Sequence, residues 1–104
     1  MKYFLSLGSN IEAEKNLDFA EKELNKILTN TKSSSIYKTK AEGFEGDDFL
    51  NSVICGDSIE SFDDLNIKLK SIEDAAGRNR SAPKFSARTL DIDIVLQIDE
   101  DEEI

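Results

Sequence analysis

Apolar residues recur at two different periods along this chain, and each change of period marks a new element. Tyr3 to Leu7 is short and apolar-rich and stops at Gly8-Ser9-Asn10, which predicts a strand leading into a helix. Asn10 is the expected N-cap, with Glu12 and Glu14 near the positive end of the helix. Leu17, Ala20, Leu24, Ile27 and Leu28 fall at i, i+3, i+7, i+10 and i+11, one stripe of an amphipathic helix. Ser33 to Lys38 predicts a second strand, followed by a loop from Thr39 to Asp47 that contains Gly43 and Gly46. Phe49 to Cys55 reads as a third strand, with Cys55 a small buried residue on it. Ser61 then caps a second helix whose buried face is Phe62, Leu65, Leu69, Ile72 and Ala76, and Gly77 ends it. Thr89 to Leu96 alternates: Leu90, Ile92, Ile94 and Leu96 point one way, Asp91 and Asp93 the other.

The order β-α-β-β-α-β is the split βαβ pattern of a ferredoxin-like fold, an α+β class with an antiparallel sheet and two helices on one face. Residues 1–98 are expected to form the domain and residues 99–104 an acidic tail. The sheet face bearing Asp91 and Asp93 is then left open.

Charge and composition narrow the function classes. The chain has 104 residues, Lys+Arg 13, Asp+Glu 22 and a net charge of −9. That balance argues against a general binder of nucleic acid or of anionic membranes, which would repel it. No apolar run approaches the roughly 20 residues of a membrane span, and Met1 to Leu7 does not have the form of a secretory signal. A cytoplasmic protein is expected. One cysteine and no histidine exclude an intrachain disulfide, a Cys-rich zinc site and every Ser–His or Cys–His mechanism within these residues. Carboxylates, arginines, lysines and backbone must carry the chemistry.

These groups are unevenly placed. Arg78, Arg80 and Arg88 all lie between Ala75 and Leu90, with Lys84 among them and no acid in that window. Arginine forks suit phosphate oxygens. Directly downstream, Asp91 and Asp93 project from one strand face, roughly 7 Å apart along the chain. Mg²⁺ is commonly held by one or two carboxylates plus substrate phosphates. Cations for a polyphosphate beside ligands for its metal form a phosphoryl-transfer constellation. The plainer alternatives are a solvated strand face and internal Arg–carboxylate pairs.

Arg88-Thr89-Leu90-Asp91-Ile92-Asp93-Ile94, preceded by Glu73-x-x-x-Gly77-Arg78-x-Arg80, resembles the 6-hydroxymethyl-7,8-dihydropterin pyrophosphokinase family of folate biosynthesis. Leu7-Gly8-Ser9-Asn10, Ser35-Ile36-Tyr37-Lys38-Thr39 and Phe49-Leu50-Asn51 agree with it, in family order. The resemblance implies the same ferredoxin-like fold and transfer of diphosphate from ATP to the pterin hydroxymethyl oxygen, releasing AMP. It implies that Asp91 and Asp93 bind two Mg²⁺ ions and that Arg78, Arg88 and Asp93 are catalytic. Lys70, Glu73, Arg78, Arg80 and Arg88 would contact ATP, and Thr39, Phe49 and Asn51 the pterin. The loop Gly77–Ala87 would order over the triphosphate.

The residues also differ from the family pattern. Lys70 replaces a common Gln, Phe85 a common Trp, and Ser86-Ala87 a common Gly-Pro. A segment with a histidine, an arginine and a second aromatic, which follows in the family, is not among these residues. Taken singly, Phe49 could be core, Asn51 a strand-edge residue, Thr39 a turn former and Glu73 a solvated helix residue. Two functions of different class follow: a compact pyrophosphokinase, or a non-catalytic module or paralogue that binds Mg-nucleotide or pterin. An open sheet face would also suit a homodimer.

Overall fold

The first strand, β1 (Lys2–Ser9), alternates half-buried and buried residues along its length, as a sheet covered on one side requires. In this computed structural model, which describes residues 1–40, 48–77 and 90–99, β1 is followed by α1 (Ala13–Ile27), β2 (Thr29–Ser33), β3 (Tyr37–Thr39), β4 (Phe49–Asp57), α2 (Phe62–Ala75) and β5 (Asp91–Ile98). The sheet order is β2-β4-β1-β5, β3 also pairs with β4, and all pairings are antiparallel. This is the expected α+β, ferredoxin-like arrangement.

Leu17, Ala20 and Leu24 of α1 and Leu65, Leu69 and Ile72 of α2 share one buried cluster with Tyr3, Leu5, Leu7, Ile54, Leu90 and Ile92. Both helices therefore cover the same sheet face, and each fully buried leucine contributes roughly 1.5–3 kcal/mol by leaving water. The Ser61 hydroxyl accepts from Asp64 N–H at 3.2 Å and caps α2. Gly77, at φ 88, takes the left-handed turn that ends the helix. The Tyr3 hydroxyl donates to the Glu60 carbonyl at 2.6 Å. Burial pushes this phenol above its usual value, and the Glu60 charge adds to the rise. Among the described residues, no helix is long and apolar enough to cross a membrane.

Several expectations are corrected. Asn10 does not cap α1: β1 still pairs at Ser9 with Leu50, so the chain is only leaving the sheet at Asn10. Glu12, at φ 44 and with no side-chain cap, takes the cap position. The turn is held instead by Asn16 Nδ2 and Ser9 Oγ, which donate to the Ile11 carbonyl at 2.6 and 3.1 Å. The expected strand Ser33–Lys38 is divided into β2 and β3. Between them the Ser34 hydroxyl accepts Val53 N–H at 2.9 Å, replacing a ladder carbonyl. Thr39 accordingly closes β3 and does not open a loop.

Phe62 is 44% exposed, at the first turn of α2 and short of the sheet. Cys55 is half-buried and opposes Phe4 on the open face of β4. Leu96 does not continue the Leu90, Ile92, Ile94 side. Leu5 opposes Ile94 whereas Phe4 opposes Leu96, so Val95 is an extra residue that reverses the alternation. Residues 41–47 of the expected loop, 78–89 of the basic segment and 100–104 of the expected tail lie outside the described residues.

Candidate functional site on the open sheet face

Register across the sheet builds the site. Tyr37 of β3 opposes Asn51 of β4, Asn51 opposes Gly8 of β1, and Gly8 opposes Asp91 of β5, forming one row across four strands. The next row holds Val53, Ser6 and Asp93. Thr39 opposes Phe49 on the other side of Asn51. These residues alternate with the buried ones and so occupy the face without helices.

The local bonds tie this surface together. Asn51 Nδ2 donates to Thr39 Oγ1 at 2.9 Å, with longer contacts to the carbonyls of Tyr37 at 3.4 Å and Phe49 at 3.5 Å. A Cβ on Gly8 would stand 3.1 Å from Asn51 Oδ1 and 3.9 Å from Phe49 Cδ1. A side chain at position 8 would therefore crowd the Asn51 amide by a few tenths of an ångström, while making only ordinary contact with Phe49. The three residues expected on the pterin side, Thr39, Phe49 and Asn51, are brought together, and Gly8 forms the floor between them and Asp91.

Asp91 is half-buried and Asp93 exposed. On α2, Lys70 and Glu73 are at i and i+3 and so share one side of the helix. Lys70 is exposed, whereas Glu73 is only 3% exposed. Its Oε2 accepts Ile92 N–H at 2.7 Å, so Glu73 is not a solvated helix residue. Arg78, Arg80 and Arg88 lie outside the described residues. The residues flanking them are Gly77, which ends α2, and Leu90, which is fully buried ahead of β5.

Residues 4–99 match the family model of 7,8-dihydro-6-hydroxymethylpterin-pyrophosphokinase (HPPK). The chain belongs to the HPPK family. It is 35% identical over 99 residues to a 2-amino-4-hydroxy-6-hydroxymethyldihydropteridine pyrophosphokinase of Aquifex aeolicus, covering 93% of this chain and 61% of that protein. It is 36% identical over 104 residues to a folate synthesis bifunctional protein of Chlamydia trachomatis, covering 92% of this chain and 23% of that protein. The chain thus spans less than two thirds of the length of either relative.

An HPPK polyphosphate reaction calls for a hard cation, and the donor set on β5 suits one. Two carboxylates on one face are ligands of the kind Mg²⁺ takes together with substrate phosphates. Among the described residues, no group of three or more His, Cys, Asp or Glu side chains forms a metal cage.

A cleft of about 520 Å³ lies on the helix side, lined by Glu14, Leu17, Asp18 and Glu21 of α1 and by Ser33, Lys38 and Leu50 of the sheet. It holds none of the candidate site residues, only Ile36, Lys38 and Leu50 of the family motifs, and its three carboxylates make it a poor place for a polyphosphate. The sequence alone assigns Tyr37 no role, yet its register with Asn51 sets it on the open face, 47% exposed. Its i, i+2 spacing from Thr39 was the available signal.

Proposed function

We propose that this chain carries out the reaction of the HPPK family, transferring the diphosphate of ATP to the hydroxymethyl group of 6-hydroxymethyl-7,8-dihydropterin and releasing AMP. The observation that carries this reading is the convergence of Thr39, Phe49 and Asn51 with Asp91 and Asp93 on one open face, around Gly8. In the reaction the hydroxymethyl oxygen bonds to the β-phosphorus, and the bond from that phosphorus to the bridging oxygen breaks. AMP leaves with that oxygen, and the hydroxyl proton passes to water.

Phe49 offers a ring to the heterocycle and Asn51 reads its edge, with Thr39 fixing the amide. Asp91 and Asp93 hold Mg²⁺, two ions by family resemblance. When bound, the metal offsets phosphate charge and lowers the cost of the developing negative charge. Arg78 and Arg88, with Asp93, act at the reacting phosphates. Arg80, Lys70 and Glu73 belong to the nucleotide side. The cytoplasm is the proposed compartment, a homodimer is one assembly the open face allows, and the net charge of −9 supports a protein without nucleic-acid or anionic-membrane partners.

The test is direct. Purified protein is given ATP, Mg²⁺ and the dihydropterin, and AMP is measured by chromatography. AMP formed only when both substrates are present supports the reading. Binding of both ligands without AMP points to a binding module.

A further inference from the structure

We infer that Glu73 is a positioning residue for the carboxylate pair of β5, acting through the Ile92 N–H. The inference rests on the proposed reading of Asp91 and Asp93 as metal ligands.

β5 ends the strand order, with β1 on one side and no strand on the other among the described residues. The outward N–H groups of such a strand ordinarily face water. Here Ile92 N–H is buried and donates 2.7 Å to a carboxylate that is itself 3% exposed. A carboxylate is costly to bury and makes short, strong bonds once it is buried and hydrogen-bonded. The bonded peptide joins Asp91 to Ile92, so holding it sets the directions of the side chains on either side. The Ile92 side chain packs in the core, while Asp91 and Asp93 project to the opposite face. The helix carrying Glu73 is anchored by Leu69 and Ile72, so the clamp sits on a rigid element.

Its place along β5 matters as much. The register against β1 shifts beyond Ile94, where Val95 is inserted. A slip of one residue would turn Asp91 and Asp93 toward the core and Ile92 toward the open face. Glu73 clamps the strand on the near side of that irregularity, at the residue between the two aspartates.

Two substitutions separate reach from charge. Glu73→Gln keeps an acceptor at the same distance without the charge, and Glu73→Asp keeps the charge but is one methylene too short. Amide exchange at Ile92 is followed by NMR. Mn²⁺ binding without ATP or pterin, so that a nucleotide contact of Glu73 does not enter, is followed by the EPR signal of the free ion. E73D is expected to speed Ile92 exchange and weaken Mn²⁺ binding by about ten-fold or more, as loss of an outer-shell support does. E73Q is expected to keep Ile92 exchange close to wild type and to hold Mn²⁺ more tightly than E73D.

Faster Ile92 exchange in E73D with unchanged Mn²⁺ affinity would overturn the inference and leave a structural staple. A loss in E73Q equal to that in E73D would also overturn it, because charge and not reach would then matter. Failure of E73D to fold counts against it in the same way. If Asp91→Asn leaves Mn²⁺ binding intact, the metal reading itself falls and the inference with it. That failure is distinguishable, because Ile92 exchange still responds to Glu73.

Discussion

The two faces of the sheet are made from the same strands, residue by residue, yet they obey different rules. On the helix side Tyr3, Leu5, Leu7, Ile54 and Ile92 meet α1 and α2 in one buried cluster. Apart from the Tyr3 hydroxyl, which donates to the Glu60 carbonyl, these positions ask mainly for an apolar side chain of suitable volume. On the open side Gly8, Asn51, Asp91 and Asp93 form a row and its neighbour, in which the proposed function requires particular polar groups and space at position 8. Removing a methyl from the first face should cost stability, and adding one to the second should cost binding. Glu73 is the exception that joins them, reaching from a covering helix to the backbone between the two aspartates.

The division can be broken by experiment. Asp91→Asn or Asp93→Asn is expected to abolish AMP formation and weaken Mg-ATP by more than the roughly 10–100-fold typical of losing an outer-shell partner, with little change in melting temperature. Calorimetric titration and a thermal melt check both halves. A large fall in melting temperature would place these carboxylates in the fold. Leu69→Ala should do the opposite, costing about 2–5 kcal/mol of stability in a urea titration while ligand affinity at low temperature is retained.

Gly8→Ala sharpens the line between the faces. The new Cβ would meet Asn51 Oδ1 at 3.1 Å, so the amide must give by a few tenths of an ångström. Pterin affinity should fall by about one decade, or 1.4 kcal/mol, with stability nearly unchanged. An unaltered pterin titration would remove Asn51 from the proposed recognition surface.

The smallest effect belongs to Tyr3. Its phenol is raised above the ordinary 10.0 by burial and then by Glu60. The unfolded chain therefore loses this proton first, and stability declines as pH rises beyond about 10. Tyr3→Phe should flatten that alkaline limb in pH-dependent melts, and an unchanged slope would assign it to other groups.

Much of this was legible before any fold was built. The stripes Leu17–Ala20–Leu24 and Leu65–Leu69–Ile72 and the Asp91-x-Asp93 alternation follow from where successive side chains point on a helix or a strand. Those directions are set by local backbone geometry, so a single sequence carries them. The cap by Ser61 and the stop at Gly77 were legible for the same reason, since both act within a few residues of themselves.

The remaining features depend on partners distant in the chain. Ser34 interrupts a strand because Val53 is opposite it, and Val95 reverses the alternation because β1 sets the register against it. Glu73 is buried because Ile92, 19 residues later, offers an edge N–H. Gly8 leaves room for the Asn51 amide because Asn51 lies opposite it on the next strand. Local backbone geometry sets which residues face together along each element. The packing of those elements determined which residues meet, because hydrogen bonds and steric fit between distant segments have no periodicity to leave in the chain.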